Sequence, residues 1–247
     1  RAPDIEANTL VIGDQFPFQS LTDNSLNALL NWNYESPDQP ARESYKFFQA
    51  SNRIGLLNSS PAGTTITHNN FSGTASDAIL LYSTPSTCLK VLSPQDRDTS
   101  FLGVELKRNL WRANPSRILP ETQRQIEFES FMGPEPAHTW CYFFEKGELA
   151  AQQDDWAESL RIGKEAEASG YKATTMIEMR TFLWSALIEN DIETATRWSA
   201  MVTGEKGNAA YFLRHIDMLE QQFDLSAEAE MIVTAMETVF LQEQAEF

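Results

Sequence analysis

Cysteine is almost missing from this chain: Cys88 and Cys141 are the only two in 247 residues. A core therefore has to form without a framework of disulfides. Two cysteines so far apart fit either buried thiols in a cytosolic protein or one bond in an exported one. Long apolar runs are missing as well. None approaches the roughly 18 residues that a membrane helix needs, so nothing in these residues spans a bilayer. Basic side chains are scarce, 19 against 35 acidic, for a formal charge of −16. A field of that sign repels phosphate backbones and anionic headgroups, which excludes nucleic acid as a partner.

Chemical motifs are equally sparse. There is no Gly-x-Ser-x-Gly, no phosphate loop and no Gly-x-Gly-x-x-Gly. The three histidines, His68, His138 and His215, lack ligand spacing with each other or with cysteine, so neither a metal nor a cofactor is expected. Asp96-Arg97-Asp98 has the form of a metal-binding Asp-x-Asp, yet in an acidic chain it reads as a solvated turn. Ser169 and Lys172 have the spacing of a Ser-x-x-Lys nucleophile, but Gly170 ends the helix between them. No catalytic residue is assigned. The chain opens at Arg1 without Met or a signal peptide and reads as a fragment or a processed product.

What is present is a change of texture along the chain. The composition is 42% hydrophobic, 22% charged and 11% aromatic, ordinary for a globular protein. Leu10-Val11-Ile12 ending at Gly13-Asp14 reads as a strand and a turn. Thr22 to Ser25 caps a short helix carrying Leu26, Leu29 and Leu30, with Trp32 and Tyr34 as core aromatics. Ala41 to Ser51 reads as a helix with Tyr45, Phe47 and Phe48 near one face. Three strands are expected, over Thr64–Phe71, Asp77–Ser83 and Cys88–Leu92, followed by helices over Leu102–Trp111 and Pro120–Phe131. Pro134 and Pro136 then break the chain, giving a mixed α/β unit over 1–132 and a helical unit over 133–247.

The helical half divides into pairs: a helix from His138 or Thr139 to Gln152 with Trp156–Ser169, Thr174–Glu189 with Ile192–Val202, and Asn208–Phe223 with Ser226–Glu243. Gln153 to Glu158 and Glu189 to Thr194 occupy equivalent turns 36 residues apart. Gly147, Asp154-Asp155, Trp156 and Ala166, then Asn190-Asp191, Ile192 and Val202, resemble the pattern of the tetratricopeptide repeat. That resemblance implies helix hairpins stacked into a short solenoid with the last pair as its cap. Leu183 stands where the family has a small residue, and the closing proline is absent from both units. The expected fold class is α+β.

A second resemblance covers most of the chain. Thr22 to Asp38, Phe71 to Pro94 and Gly133 to Trp156 (GPEPAHTWCYFFEKGELAAQQDDW) are similar to the soluble C-terminal region of bacterial multi-pass membrane proteins that look like polyprenyl-phosphate-sugar glycosyltransferases. The resemblance implies an extracytoplasmic domain anchored through segments upstream of Arg1, with the transferase carboxylates lying elsewhere. It also implies an oxidising compartment and so favours a bond between Cys88 and Cys141. Trp140, Tyr142, Phe143 and Phe144 cannot all face inward on one helix, so the set either packs on the first unit or forms a sugar- or peptide-binding platform. His138, Trp140 and Phe144 are the binding candidates. The expected function is a non-catalytic interaction module that positions or recruits a protein or glycan partner. An enzyme with a cleft between the halves and a cytosolic scaffold with two thiols are the alternatives.

Overall fold

The structure, a computed structural model, describes residues 4–14, 23–34, 45–49, 61, 63–68, 71–83, 87–96, 99, 101–119 and 137–246. It is α+β, with a mixed N-terminal region followed by a stack of helices. The chain divides into two compact units, Arg1–Ala137 and His138–Phe247. The expected helix over Pro120–Phe131 and the break at Pro134 and Pro136 lie outside the described residues.

The first unit is organised on β2 (Thr9–Asp14), which pairs in parallel with both β3 (Tyr45–Gln49) and β6 (Ala78–Tyr82). Helix α1 (Asp23–Tyr34) lies between β2 and β3 in sequence, and β7 (Lys90–Leu92) adds antiparallel to β6, giving the order β3-β2-β6-β7. Leu10, Ile12, Phe48, Leu80, Tyr82 and Leu92 form one core with Phe71, Leu102, Leu106 and Leu110. Val11, Phe47 and Ile79, on the opposite face of the same strands, are buried too. Burial of both faces explains the continuous Leu-Val-Ile run where a half-exposed strand would alternate.

The same fact corrects the reading of Ala41 to Ser51 as a helix: Tyr45–Gln49 is a strand. Tyr45, Lys46, Phe47 and Phe48 are all buried, and a short segment buried all round has no periodicity to distinguish strand from helix. The strand expected over Thr64–Phe71 is instead half of a hairpin. Its strands β4 (Thr65–His68) and β5 (Phe71–Thr74) pair antiparallel, with His68 opposite Phe71. Gly73 has no room for a side chain, since a Cβ there would meet the Asn8 carbonyl oxygen at 2.7 Å and the Phe71 ring.

Helix α2 (Val104–Asn109) and two single turns, 110–112 and 115–117, lead into β8 (Ile118–Leu119), which pairs with β1 (Asp4–Ile5). Arg117 fastens this closure. It forms an ion pair with Asp77, lies 3.2 Å from Glu6, and donates to the Ala7 carbonyl at 3.3 Å. The Arg117 guanidinium holds the Asp77 carboxyl below the usual range, more than burial raises it. A lowered folded-state pKa means that the ionised carboxylate stabilises the fold above the ordinary range and that this is lost as pH falls through the lowered value. Asp77→Asn is therefore expected to destabilise the unit at neutral pH, with the gap from wild type closing below about pH 4, the ordinary Asp range. Urea titrations at several pH values read this directly, and a gap that persists at the acid end would exclude the pair as its source.

The second unit contains α3 (Trp140–Gln152), α4 (Trp156–Ala168), α5 (Met176–Ile188), α6 (Ile192–Thr203), α7 (Ala209–Gln222) and α8 (Ala227–Ala245). Local chemistry sets the N-terminal ends of three of these helices. Asp155, Asp191 and Ser226 cap α4, α6 and α8 by accepting the N–H groups of Glu158, Thr194 and Ala229, satisfying donors the helix cannot. The two turns 36 residues apart share their backbone: Asp154 and Asn190 have φ of 61° and 57°. Asp155 N–H and Asp191 N–H donate to Ala150 and Ala186 at 2.9 Å each. Short polar residues tolerate this left-handed conformation, which a β-branched residue would not.

Phe182 is the hub of this unit. It is fully buried, with the Trp140 ring edge-on at 5.5 Å and the Trp198 ring at 6.3 Å. Gly147 of α3 and Gly163 of α4 both press against it, and a Cβ on either would lie 2.2 and 2.7 Å from its ring carbons. Ion pairs tie neighbouring hairpins on the outside. Arg197 makes a two-pronged contact with Glu167 at 2.9 and 2.8 Å, and Lys164 pairs with the capping carboxylate of Asp191. Burial pushes the Asp191 carboxyl up, but Lys164 and the Thr194 N–H outweigh it and hold it below the usual range.

Candidate functional site

The aromatic run at the start of the helical unit divides between inside and outside. Thr139 precedes α3 in extended conformation, so Trp140 falls on the first turn, and Phe143 and Phe144 follow on the side facing α5 and the segment after α4. Trp140, Phe143 and Phe144 are buried. The Trp140 indole N–H donates to Glu178 Oε2 at 2.7 Å, and the same oxygen accepts the Thr174 N–H at 3.0 Å. Glu178 is itself buried, so this carboxylate is held by two donors inside the unit, as a buried charge must be. Phe143 packs on Tyr171 with ring centres 5.3 Å apart.

Of the three sequence-derived binding candidates, only His138 is exposed. Trp140 and Phe144 belong to the core of the helical unit, so the three do not make one surface. The residue that joins His138 outside is Tyr142. The two rings stack 3.6 Å apart and 10° from parallel. Lys146 continues the ladder, with its ammonium 3.2 Å from the Tyr142 hydroxyl and 5.0 Å from the ring centre. Tyr142 and Lys146, spaced i, i+4, share one face of α3, and His138, which precedes the helix, reaches that face by stacking on Tyr142. That spacing is the signal in the sequence that singles out Tyr142 over its aromatic neighbours.

The remaining candidates have structural employment. Asp96 accepts the Ser93 N–H at 2.8 Å and lies 3.5 Å from Lys90, closing a turn; Arg97 and Asp98 are outside the described residues. Ser169 ends α4 and Gly170 has φ 78°, so Ser169 and Lys172 do not share a helical face. His215 is buried, with Nδ1 2.8 Å from the Tyr211 carbonyl. Cys88 is buried in the first unit just before β7, and Cys141 is half-buried on the first turn of α3. Among the described residues no group of three or more His, Cys, Asp or Glu is placed to hold a metal ion, and no helix is long and apolar enough to cross a membrane. Comparison with known proteins finds no matching family model, no matching curated protein and no matching solved structure.

Proposed function

We propose that this chain is a non-catalytic extracytoplasmic interaction module, the soluble part of a membrane glycosyltransferase-like protein, in which a tetratricopeptide-like stack receives a protein or glycan partner. The observation that carries the reading is the His138–Tyr142–Lys146 ladder. Its rings are pre-stacked on a helix whose opposite side is locked by Trp140, Phe143 and Phe144, so binding to it costs little side-chain entropy. Amphipathic rings offer apolar area to a sugar face or a peptide side chain, and the lysine and imidazole offer hydrogen bonds at the same place. The 36-residue recurrence of the turns supports the stack as a repeat, and the ion pairs Arg197–Glu167 and Lys164–Asp191 tie its first two hairpins together.

A photo-crosslinking residue at position 142, expressed in the intact chain in its native cells, is expected to capture a cell-envelope protein or glycan. The same residue at Glu193, a highly exposed position away from α3, is expected to capture none, and His138→Ala is expected to weaken the crosslink at 142. Equal labelling from both positions would remove the ladder from the function. The compartment makes a separate demand. In an oxidising one, Cys88 and Cys141 form one intramolecular bond worth roughly 2–4 kcal/mol. Mass spectrometry of alkylated protein with and without reductant is expected to show no reactive thiol until reductant is added; two free thiols in the native protein would move it to the cytosol.

A further inference from the structure

We propose that α8 is a homodimer interface along which two copies of the chain pack antiparallel. Its inner stripe, Ala229, Val233, Met236 and Phe240, is buried in the unit. Its outer stripe is Ala227, Met231, Thr234, Thr238, Leu241 and Ala245, spaced 4, 3, 4, 3, 4, the seam spacing of a coiled coil. Met231 and Leu241 are 65% and 58% exposed, the most exposed large apolar residues of the helical unit among those described. The threonines add to the apolar character. Thr234 and Thr238 turn their hydroxyls back to the carbonyls of Glu230 and Thr234, 2.9 Å each, which leaves the methyl groups outward. None of the six stripe residues carries a charge, in a strongly acidic chain.

The pattern identifies the occupant. About a two-fold axis at the level of Met236, Met231 meets the partner's Leu241, Thr234 meets the partner's Thr238, and Ala227 meets the partner's Ala245. Beside the seam, Glu230 meets the partner's Gln244 and Glu228 meets the partner's Gln242, so these carboxylates face amides that can donate to them. Self-complementarity of this kind is what an isologous interface requires. Glu237 is the exception: it flanks the seam at its midpoint, beside Asp217 and Glu220, and opposes its own counterpart. A seam six residues long is small, so the dimer is reversible and concentration-dependent.

Sedimentation velocity over a dilution series of the intact chain is expected to show a monomer–dimer equilibrium. Met231→Lys and Leu241→Glu are each expected to give monomer at every concentration where wild type dimerises, with helical content and melting unchanged because both positions are exposed. Mixing the two variants in equal amounts is expected to restore the dimer, since the new lysine then meets the new glutamate. Glu237→Gln is expected to tighten it severalfold. A wild type that stays monomeric, variants that still dimerise, or a mixture that stays monomeric would each overturn the pairing. A monomeric wild type that floats with phosphatidylcholine vesicles would overturn it in favour of a lipid surface.

Discussion

Replacing Phe182 with alanine is expected to destabilise the helical unit by about 3–5 kcal/mol, the range for emptying a fully enclosed aromatic site. The size follows from the absence of anything able to collapse into the space. Gly147 and Gly163 carry no side chain to move in, and Trp140 is held in place by Glu178 at 2.7 Å. The converse change tests the same packing from the other side. Gly163→Ala puts a methyl 2.7 Å from the Phe182 ring and 2.9 Å from Trp198, distances at which something must shift, and overpacking of this kind costs roughly 1–3 kcal/mol. Combining Gly163→Ala with Phe182→Leu is then expected to cost less than the two single changes added together, because the smaller side chain makes room for the methyl. Urea unfolding followed by tryptophan fluorescence measures each of these variants, with Phe182→Leu alone completing the cycle. A loss under 1 kcal/mol for Phe182→Ala, or strict additivity in the pair, would show that the glycines are small for another reason.

That hub also marks where the sequence stops being informative. The helix boundaries of the second unit were legible because their determinants are local: Asp155, Asp191 and Ser226 cap within three residues of themselves, and Gly170 stops α4 where it stands. The position of Gly147 was legible as a small residue and that of Gly163 was not, and the ring they accommodate sits on a different helix that only the packing identifies. The same holds for Trp140. Four aromatics within five residues say that some face outward, and nothing local says which. The choice is made by Glu178, 38 residues away. In the first unit the buried Leu10-Val11-Ile12 run was readable as a strand, but Gly13-Asp14, expected as its closing turn, continues β2 and pairs with Leu81 and Tyr82 of β6. Tyr45 to Phe48 was not readable as one, since its burial comes from β2 beside it and from α1.

The edge of the sheet carries the second large effect. Strand β3 ends the order β3-β2-β6-β7, so half of its backbone groups would face outward in a chain with other copies nearby, a template for pairing. Two asparagines of α1 close it. Asn31 accepts the Tyr45 N–H at 2.9 Å and donates to the Tyr45 carbonyl at 2.8 Å. Asn27 does the same for Phe47, at 2.5 and 3.2 Å. The match is geometric: four residues of helix rise about 6 Å and two residues of strand about 6.7 Å, so an i, i+4 pair of amides can follow alternate residues of a strand. Both side chains are buried, which keeps water from replacing them. Asn31→Ala is expected to cost about 1–3 kcal/mol for each backbone group left unpaired. Asn31→Asp keeps an acceptor for the Tyr45 N–H but loses the donor and sets a carboxylate against the Tyr45 carbonyl, so it is expected to be at least as damaging. The double change, Asn27→Ala with Asn31→Ala, frees the whole edge and is expected to add concentration-dependent β aggregation to the loss of stability. Amide exchange at Tyr45 and Phe47, urea unfolding and light scattering separate these outcomes. Protection of both amides in the double variant would mean that another group closes the edge.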